Sequence, residues 1–141
     1  MISSVTIKSN SGTNQLTFTD FIGEFEPSQS NYFTVAVIID TVKASRKVYL
    51  DQPEKIVNFF DFIARHWQGW SGESKYESIE GELAFIAEHN GKSAVNLQIN
   101  LRSFYPENDW FLSATIQIEL GQLETISKQV SDFFKRQKFA A

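Results

Sequence analysis

Residues 112–134 read LSATIQIELGQLETISKQVSDFF, and this stretch decides the fold because its hydrophobic period changes partway along. From Leu112 to Leu120 apolar and polar residues alternate, which is typical of a β-strand with one buried face. Beyond Gly121 apolar residues recur every three to four positions, which predicts an amphipathic helix to about Arg136. The stripe of this helix is Leu123, Ile126, Val130, Phe133 and Phe134. A strand that leads into an amphipathic helix indicates an α+β domain, in which the helix covers a sheet.

A second strand and helix pair lies in the middle of the chain. Tyr32 to Asp40 is rich in β-branched residues and predicts a buried strand, and Ala44 to Leu50 predicts its hairpin partner through Thr41-Val42-Lys43. Asp51 to Glu54 has the pattern of a helix start, with Asp51 as the cap and Pro53 in the first turn. The expected stripe is Ile56, Phe59, Phe60, Ile63 and Trp67, with Gly69 as the stop.

Shorter alternating segments complete the predicted sheet. They are Val5 to Ile7, Leu16 to Phe18, Phe21 to Phe25, Glu82 to Glu88 and Ala94 to Arg102. The last two flank Asn90-Gly91, a strong hairpin signal. A two-residue loop would place Phe85 opposite Asn96, whereas a three-residue loop places it opposite Val95. We prefer the longer loop because it keeps apolar side chains on one face.

These patterns together predict an α+β fold, a mostly antiparallel sheet of about 6–8 strands with two amphipathic helices on one face. Residues 1–141 are expected to form a single domain, since domains most often contain about 100–150 residues. No internal repeat is visible in the sequence. In two of the strands every second residue is polar. This predicts that part of the sheet face away from the helices is exposed to solvent. These residues are Asn96, Gln98, Asn100, Ser113, Thr115 and Gln117.

Composition excludes several classes of function. The formal charge of −4 disfavours nucleic acid, whose binding requires clustered Lys and Arg. Cysteine is absent and there are only two histidines, so no metal site, disulfide or cofactor site is expected. The first residues lack a basic start and an apolar core of signal-peptide length, and no apolar run could span a bilayer. We therefore expect a cytoplasmic protein without a membrane partner.

Two aromatic turns and one carboxylate cluster are the remaining candidate sites. Trp67 to Gly72 and Phe104 to Trp110 fit either indole and phenyl caps on the core or anchors at an interface, where aromatic residues are enriched. The carboxylates between Glu73 and Glu88 fit either a solvated face or an acidic surface for a basic partner. His66 follows the first helix, but no nucleophile lies at a recognisable spacing from it, so no catalytic residue is assigned.

Four segments carry a resemblance to a known family. They are Phe62-x-x-x-x-Trp67-x-Gly69-Trp70-x-Gly72, Ser78-Ile79-Glu80-Gly81-Glu82-Leu83, His89-Asn90-Gly91 and Leu97-x-Ile99-x-Leu101-Arg102. In this combination the chain resembles an uncharacterised bacterial domain-of-unknown-function family with a Trp-x-Gly-Trp helix end, over about residues 30–137. The order of elements is also similar, more distantly, to the WapI-like immunity proteins, which neutralise a toxin domain by binding it. The first family implies no catalytic residues.

The expected function is a non-enzymatic protein-binding module, specifically a bacterial immunity protein that neutralises a basic toxin domain by direct binding. The expected partner contacts are Trp70, Glu73, Tyr76, Glu77 and Tyr105. One alternative is a small-molecule binder or enzyme with a cleft near Trp67 to Gly72, using His66 or a glutamate as base. Another is a homodimer or larger homo-oligomer that pairs through an edge strand.

Overall fold

The computed structural model describes residues 3–10, 12–23 and 31–135. Within these residues the chain forms eight strands and two α-helices, with a 3-10 turn at Leu120–Gln122 before the second helix. The first half comprises β1 (Ser4–Lys8), β2 (Gln15–Ile22), β3 (Asn31–Ile39), β4 (Val42–Leu50) and α1 (Glu54–Arg65). The second half comprises β5 (Glu73–Glu77), β6 (Leu83–His89), β7 (Ala94–Ser103), β8 (Trp110–Glu119) and α2 (Leu123–Phe134).

The strands form two antiparallel sheets of four, in the orders β1-β2-β3-β4 and β5-β6-β7-β8. The α+β class and the antiparallel pairing are confirmed, and eight strands lie within the expected number. The division differs from the expected single sheet. Each sheet is a meander of sequential hairpins, and α1 separates β4 from β5, so the second meander begins as a sheet of its own.

The two halves repeat the same order of elements, four strands followed by a twelve-residue helix, although no repeat is visible in the sequence. The contacts between the two halves are also reciprocal. The two helices pack against each other, α1 lies beside β5, and α2 lies beside β1. Each helix thus contacts the first strand of the other half, which is the arrangement expected of two similar units related by an approximate two-fold axis.

Both sheets and both helices share one hydrophobic core. Phe18 of β2 is fully buried at its centre. Its ring centre lies 5.2–6.2 Å from the ring centres of Phe33, Phe60, Phe85, Phe133 and Phe134. These neighbours belong to the first sheet, α1, the second sheet and α2. The aromatic side chains thus connect both sheets and both helices. Most of the described phenylalanines lie in or against this core.

The helix stripes are confirmed except at one position. Four residues of the first stripe and all five of the second are buried. Trp67 is wrong as a stripe residue, since α1 ends at Arg65 and the Trp67 side chain is 50% exposed. The predicted capping role of Asp51 is also wrong. Pro53 occupies the cap position, and Asp51 instead accepts a hydrogen bond from the Gln52 amide at 2.8 Å.

The hairpin between β6 and β7 exists, but its register differs from the expected one. Phe85 lies opposite Ile99 rather than Val95, and the connection spans four residues from Asn90 to Ser93. Asn90 explains the longer loop, because its side-chain oxygen accepts hydrogen bonds from the amides of residues 92, 93 and 94 at 2.8–3.1 Å. The prediction that the register keeps apolar side chains on one face of the sheet is confirmed, since Phe85 pairs with Ile99 and Leu83 with Leu101.

The structure differs from the sequence prediction at two further strands. β5 was not expected as a strand, because its alternation contains only one apolar residue, Tyr76. Of the expected strand Phe21 to Phe25, Phe21 and Ile22 belong to the end of β2 after a register shift, and residues 24 and 25 lie outside the described ranges. The predicted polar parity of β7 and β8 is confirmed, as those side chains are exposed or half-exposed.

None of the helices in the described ranges is both long enough and apolar enough to cross a membrane.

Candidate functional site

Antiparallel pairing brings two turns of the second sheet to the same end. The β5–β6 turn (residues 78–82) and the β7–β8 turn (residues 104–109) lie at one end, and the β6–β7 turn lies at the other. The first two are in contact. The Arg102 amide donates to the Glu82 carbonyl at 2.9 Å, and a Cβ at Gly81 would lie 3.9 Å from Phe104 Cζ. Residues that are 20 or more positions apart in sequence therefore form one surface.

The β5–β6 turn is built around a buried carboxylate. Glu82 is 2% exposed, and its Oε1 accepts a hydrogen bond of 2.6 Å from the Ser78 hydroxyl. Its other oxygen accepts from the Tyr49 amide of β4 at 3.4 Å. Ser78 also accepts from the Leu83 amide at 3.1 Å, and Gly81 takes the left-handed conformation that closes the turn. Glu82 thus joins the edge of the first sheet to the second.

Glu80 and Glu82 form a carboxyl pair at this turn. Partial desolvation, the negative charge of Glu82 and a hydrogen bond between the two carboxyl groups raise the pKa of Glu80, while Arg46 opposes the shift. Paired carboxyls with separated pKa values are the usual starting point for general acid and base catalysis. Here both oxygens of Glu82 are engaged by structural hydrogen bonds, so the geometry favours a role in holding the turn.

Beside this turn lies a group of exposed aromatic rings and arginines, which we call the aromatic–arginine surface: Arg46, Arg102, Phe104, Tyr105 and Phe111. The three aromatic residues are 52%, 65% and 59% exposed, respectively. The Arg102 guanidinium carbon lies 4.3 Å from the Phe104 ring centre and 5.9 Å from that of Phe111. The Arg46 guanidinium carbon lies 6.0 Å from the Tyr105 ring centre. These distances are within the range of cation–π contacts.

Arg46 also connects the two sheets. It extends from β4, and its Nη1 donates to the Arg102 carbonyl at 2.8 Å while its Nε donates to the Lys47 carbonyl at the same distance. Together with Glu82, it crosses the boundary between β4 and the second sheet. The aromatic–arginine surface is therefore made by both halves of the molecule.

The repeated halves provide an internal comparison for the β7–β8 turn. The equivalent turn of the first half, between β3 and β4, contains only Asp40 and Thr41. The β7–β8 turn contains six residues, 104–109, of which Phe104 and Tyr105 are strongly exposed. Two residues suffice to connect antiparallel strands of this architecture. The extra length and its exposed rings are therefore not required by the strand connection itself.

The opposite end of the second sheet holds the Trp67 to Gly72 segment, which is fixed by His89. The His89 Nε2 lies 2.7 Å from the Trp67 carbonyl, and its Nδ1 accepts from the Gly91 amide at 2.9 Å. Accepting at Nδ1 places the proton of a neutral imidazole on Nε2, where it donates to Trp67. The ring centres of Trp70 and His89 are 5.6 Å apart. This histidine holds a turn in place.

The expected partner contacts do not form a single surface. Trp70 is half-buried at the His89 end, near which Glu73 begins β5, whereas Glu77 and Tyr105 lie at the end with the aromatic–arginine surface. Four residues along a strand separate Glu73 from Glu77 by about 13 Å. Tyr76 points the other way and is 8% exposed, so it is corrected from a partner contact to a core residue. Burial, then the charges of Asp51 and Glu82, raise the pKa of the Tyr76 phenol.

Sequence reasoning missed Arg46, Arg102 and Phe111, whereas Phe104 opens the aromatic turn that was a candidate interface anchor. One signal was available for Phe111, because its parity in β8 places it among the outward polar residues, where a large apolar side chain is out of place. Arg102 lies directly opposite it on β7 with the same outward parity. No signal was available for Arg46, since its contacts with Arg102 and Tyr105 depend on how the two sheets meet.

Trp67 borders an open groove of about 350 Å³, but none of residues 68–72 of the expected cleft lines it. Its lining consists of Ala64, Trp67, Leu120, Gly121, Leu123 and Glu124. His66 is not among these residues. It donates from Nδ1 to the Phe62 carbonyl at 2.8 Å and stacks on the Phe62 ring. Over the described part of the chain, no three His, Asp or Glu side chains are grouped so as to hold a metal ion.

Comparison with known proteins gives one match. Neither the curated proteins nor the solved structures contain a match to this chain. Residues 6–137 match the family described as "Family of unknown function (DUF6228)". The match includes both sheets, both helices and the aromatic–arginine surface, and so the chain belongs to this family of unknown function.

Proposed function

We propose that this protein is a protein-binding module and that it contacts its partner through the aromatic–arginine surface. Tyr, Phe and Arg are enriched in protein interfaces and at their energetic hot spots. In this surface three rings and two guanidinium groups lie together on one end of the molecule, and the rings are more than half exposed. Scattered exposed apolar residues need no explanation, but a contiguous group of this kind is typical of an interaction site.

The observation that carries the proposal is the length of the β7–β8 turn. The other half makes the same connection with two residues, and this half uses six, placing Phe104 and Tyr105 in solvent. Long, non-minimal loops on a rigid sheet are where binding residues concentrate. An aromatic pair in such a loop lowers solubility unless a partner covers it.

The more specific form of the proposal is an immunity protein that neutralises a bacterial toxin by direct binding. Two features support a basic partner. The net charge is −4, and the carboxylates of Glu73 and Glu88 lie directly opposite each other across β5 and β6, at the end of the sheet away from the aromatic–arginine surface and with Glu73 also 3.3 Å from Lys75. Like charges in cross-strand positions destabilise a sheet, whereas they attract an oppositely charged protein and speed its association.

The test is co-expression with candidate toxins encoded by neighbouring genes, followed by purification of the complex. Replacing Tyr105 and Phe111 by serine should abolish protection and reduce affinity by about 100-fold or more, the loss expected when two hot-spot rings are removed. Trp67→Ser is the matched control, because Trp67 is an equally exposed aromatic residue at the opposite end of the second sheet.

The control variant should bind as well as the wild type. If the serine variant at the aromatic–arginine surface binds and protects normally, or if only Trp67→Ser fails, then this surface is not the binding site. If no neighbouring product binds and no toxin is neutralised, the immunity role is refuted.

A further inference from the structure

We propose that the aromatic–arginine surface receives a carboxylate side chain of the partner, held by Arg102 and flanked by an apolar residue. The inference rests on the proposed function, and it specifies the chemistry of the segment that binds. It concerns the short-range contact made at this surface. It is compatible with a partner that is basic overall, because long-range attraction depends on net charge and docking depends on individual groups.

The Arg102 guanidinium has no polar partner in the part of the chain that the structure describes. Within residues 3–10, 12–23 and 31–135, Arg102 forms no ion pair, and its Nε is shielded from solvent without a hydrogen-bond acceptor. A guanidinium carries five N–H donors in a fixed plane, and in most structures such donors are satisfied. Arg46 differs, because its Nε and Nη1 donate to backbone carbonyls and its charge acts on the nearby Glu80.

The aromatic rings hold the Arg102 guanidinium in a geometry suited to a carboxylate. The Arg102 guanidinium carbon lies over the Phe104 ring, 4.3 Å from the ring centre. Because the Nε is shielded from solvent, the terminal Nη groups are the donors that an external carboxylate can reach, and a carboxylate accepts two N–H groups side by side. Phe111, directly opposite Arg102 across β7 and β8, supplies apolar contact for the residue next to that carboxylate.

Among the residues that the structure describes, the carboxylates near Arg102 do not fill this role. Glu82 is committed to Ser78 and Tyr49, and Glu80 interacts with Glu82 and Arg46. Glu107 and Asp109 lie in the β7–β8 turn itself, but neither forms an ion pair with Arg102. For a guanidinium that lies over an aromatic ring and has no polar partner within the described ranges, the complement is therefore an external acidic group.

The test is an NMR titration of the full chain with three capped tripeptides, in which phenylalanine is flanked by two aspartates, two asparagines or two lysines. The Arg102 Nε–H resonance, assigned in the wild type through its bonds to the Arg102 side-chain carbons in triple-resonance spectra, is the reporter. We expect the aspartate peptide to shift this resonance and to bind about tenfold more tightly than the asparagine peptide, because charge-assisted bidentate bonds are the stronger ones. The lysine peptide should bind most weakly.

Arg102→Lys keeps the charge but removes the planar fork, so it should weaken binding of the aspartate peptide by about tenfold. Arg65→Lys is the matched control, since Arg65 is an exposed arginine already paired with Asp61 at 2.8 Å, and it should bind like the wild type. If Arg102→Lys does not fold, the shift of the wild-type Nε–H resonance decides the question alone.

Equal binding of the three peptides, tighter binding of the lysine peptide, or shifts that leave the Arg102 resonance unmoved would overturn the inference. Its failure is separable from that of the proposed function. If a partner depends on Tyr105 and Phe111 but is indifferent to Arg102→Lys, only the carboxylate contact is wrong. If the partner is also indifferent to the two rings, the proposed surface is wrong.

Discussion

Replacing Phe18 by alanine tests whether the two halves of the molecule are one cooperative unit. The Phe18 side chain is fully buried and touches aromatic rings from the first sheet, the second sheet and both helices. Its loss leaves a cavity that no single element can close. Buried Phe→Ala substitutions cost about 3–5 kcal/mol of unfolding free energy, and we expect the upper part of this range. Small domains have about 5–15 kcal/mol in total, so the variant should still fold under mild conditions.

The assay is urea unfolding followed by far-UV circular dichroism and tryptophan fluorescence, combined with amide hydrogen exchange. We expect one transition, shifted equally for both probes, and faster exchange in both sheets, for example at Val35 and Ile99. Phe85→Ala should have a similar effect, and the double variant should lose less than the sum of the two because the rings are in contact at 6.2 Å.

Phe111→Ala is the control, because the Phe111 side chain is mostly exposed and its loss should change stability by no more than about 0.5 kcal/mol. Two separate transitions, or faster exchange confined to the first sheet, would refute the reasoning that one core unites the halves.

Three further predictions concern the ionisable groups. His89→Ala removes two hydrogen bonds to the backbone, so it should cost about 1–3 kcal/mol and alter Trp70 emission; unchanged emission would contradict the ring contact. Partial desolvation and the charge of Glu82 raise the pKa of Glu80. The stability that Glu80 contributes is therefore complete at pH values below its ordinary pKa of 4.5, and it is lost as the pH rises through the pKa of the folded state. Glu80→Gln should therefore flatten the pH dependence of the melting temperature above pH 4.5, and an unaltered slope would argue against the carboxyl pair. Burial, then nearby negative charge, raises the pKa of Tyr76 above 10.0, so its contribution is complete below pH 10 and is lost at higher pH. Tyr76→Phe should resist alkaline unfolding better than the wild type; equal midpoints would show that the phenol ionises freely in the folded protein.

Local periodicity predicted the helices and the last strand well, because each signal is contained within one element. The stripe from Leu123 to Phe134 and the alternation of β8 are both observed. The hairpin register was missed because a side chain, Asn90, sets the loop length by binding three consecutive amides. The division into two sheets was missed because strand pairing is a long-range property, and no local pattern says that β4 and β5 do not pair.

The candidate site was predicted only in part for the same reason. Tyr105 and Glu77 could be chosen from turn composition and charge, and the structure places both at the end of the second sheet that carries the aromatic–arginine surface. Tyr76 was misassigned because alternation on a short strand was not recognised, so its inward direction was not seen. The contact between Arg46 and Arg102 joins positions 56 residues apart and follows from the meeting of the two sheets.

The position of Arg46 has a practical consequence. Because Arg46 extends from the first sheet into a surface built mostly by the second, any molecule seated there would cross-link the two halves. Its binding energy would add to the free energy of global unfolding, with a gain that grows with the logarithm of its concentration above the dissociation constant. A simple thermal-shift screen against candidate proteins or peptides can therefore detect the natural partner before any assay of its activity exists.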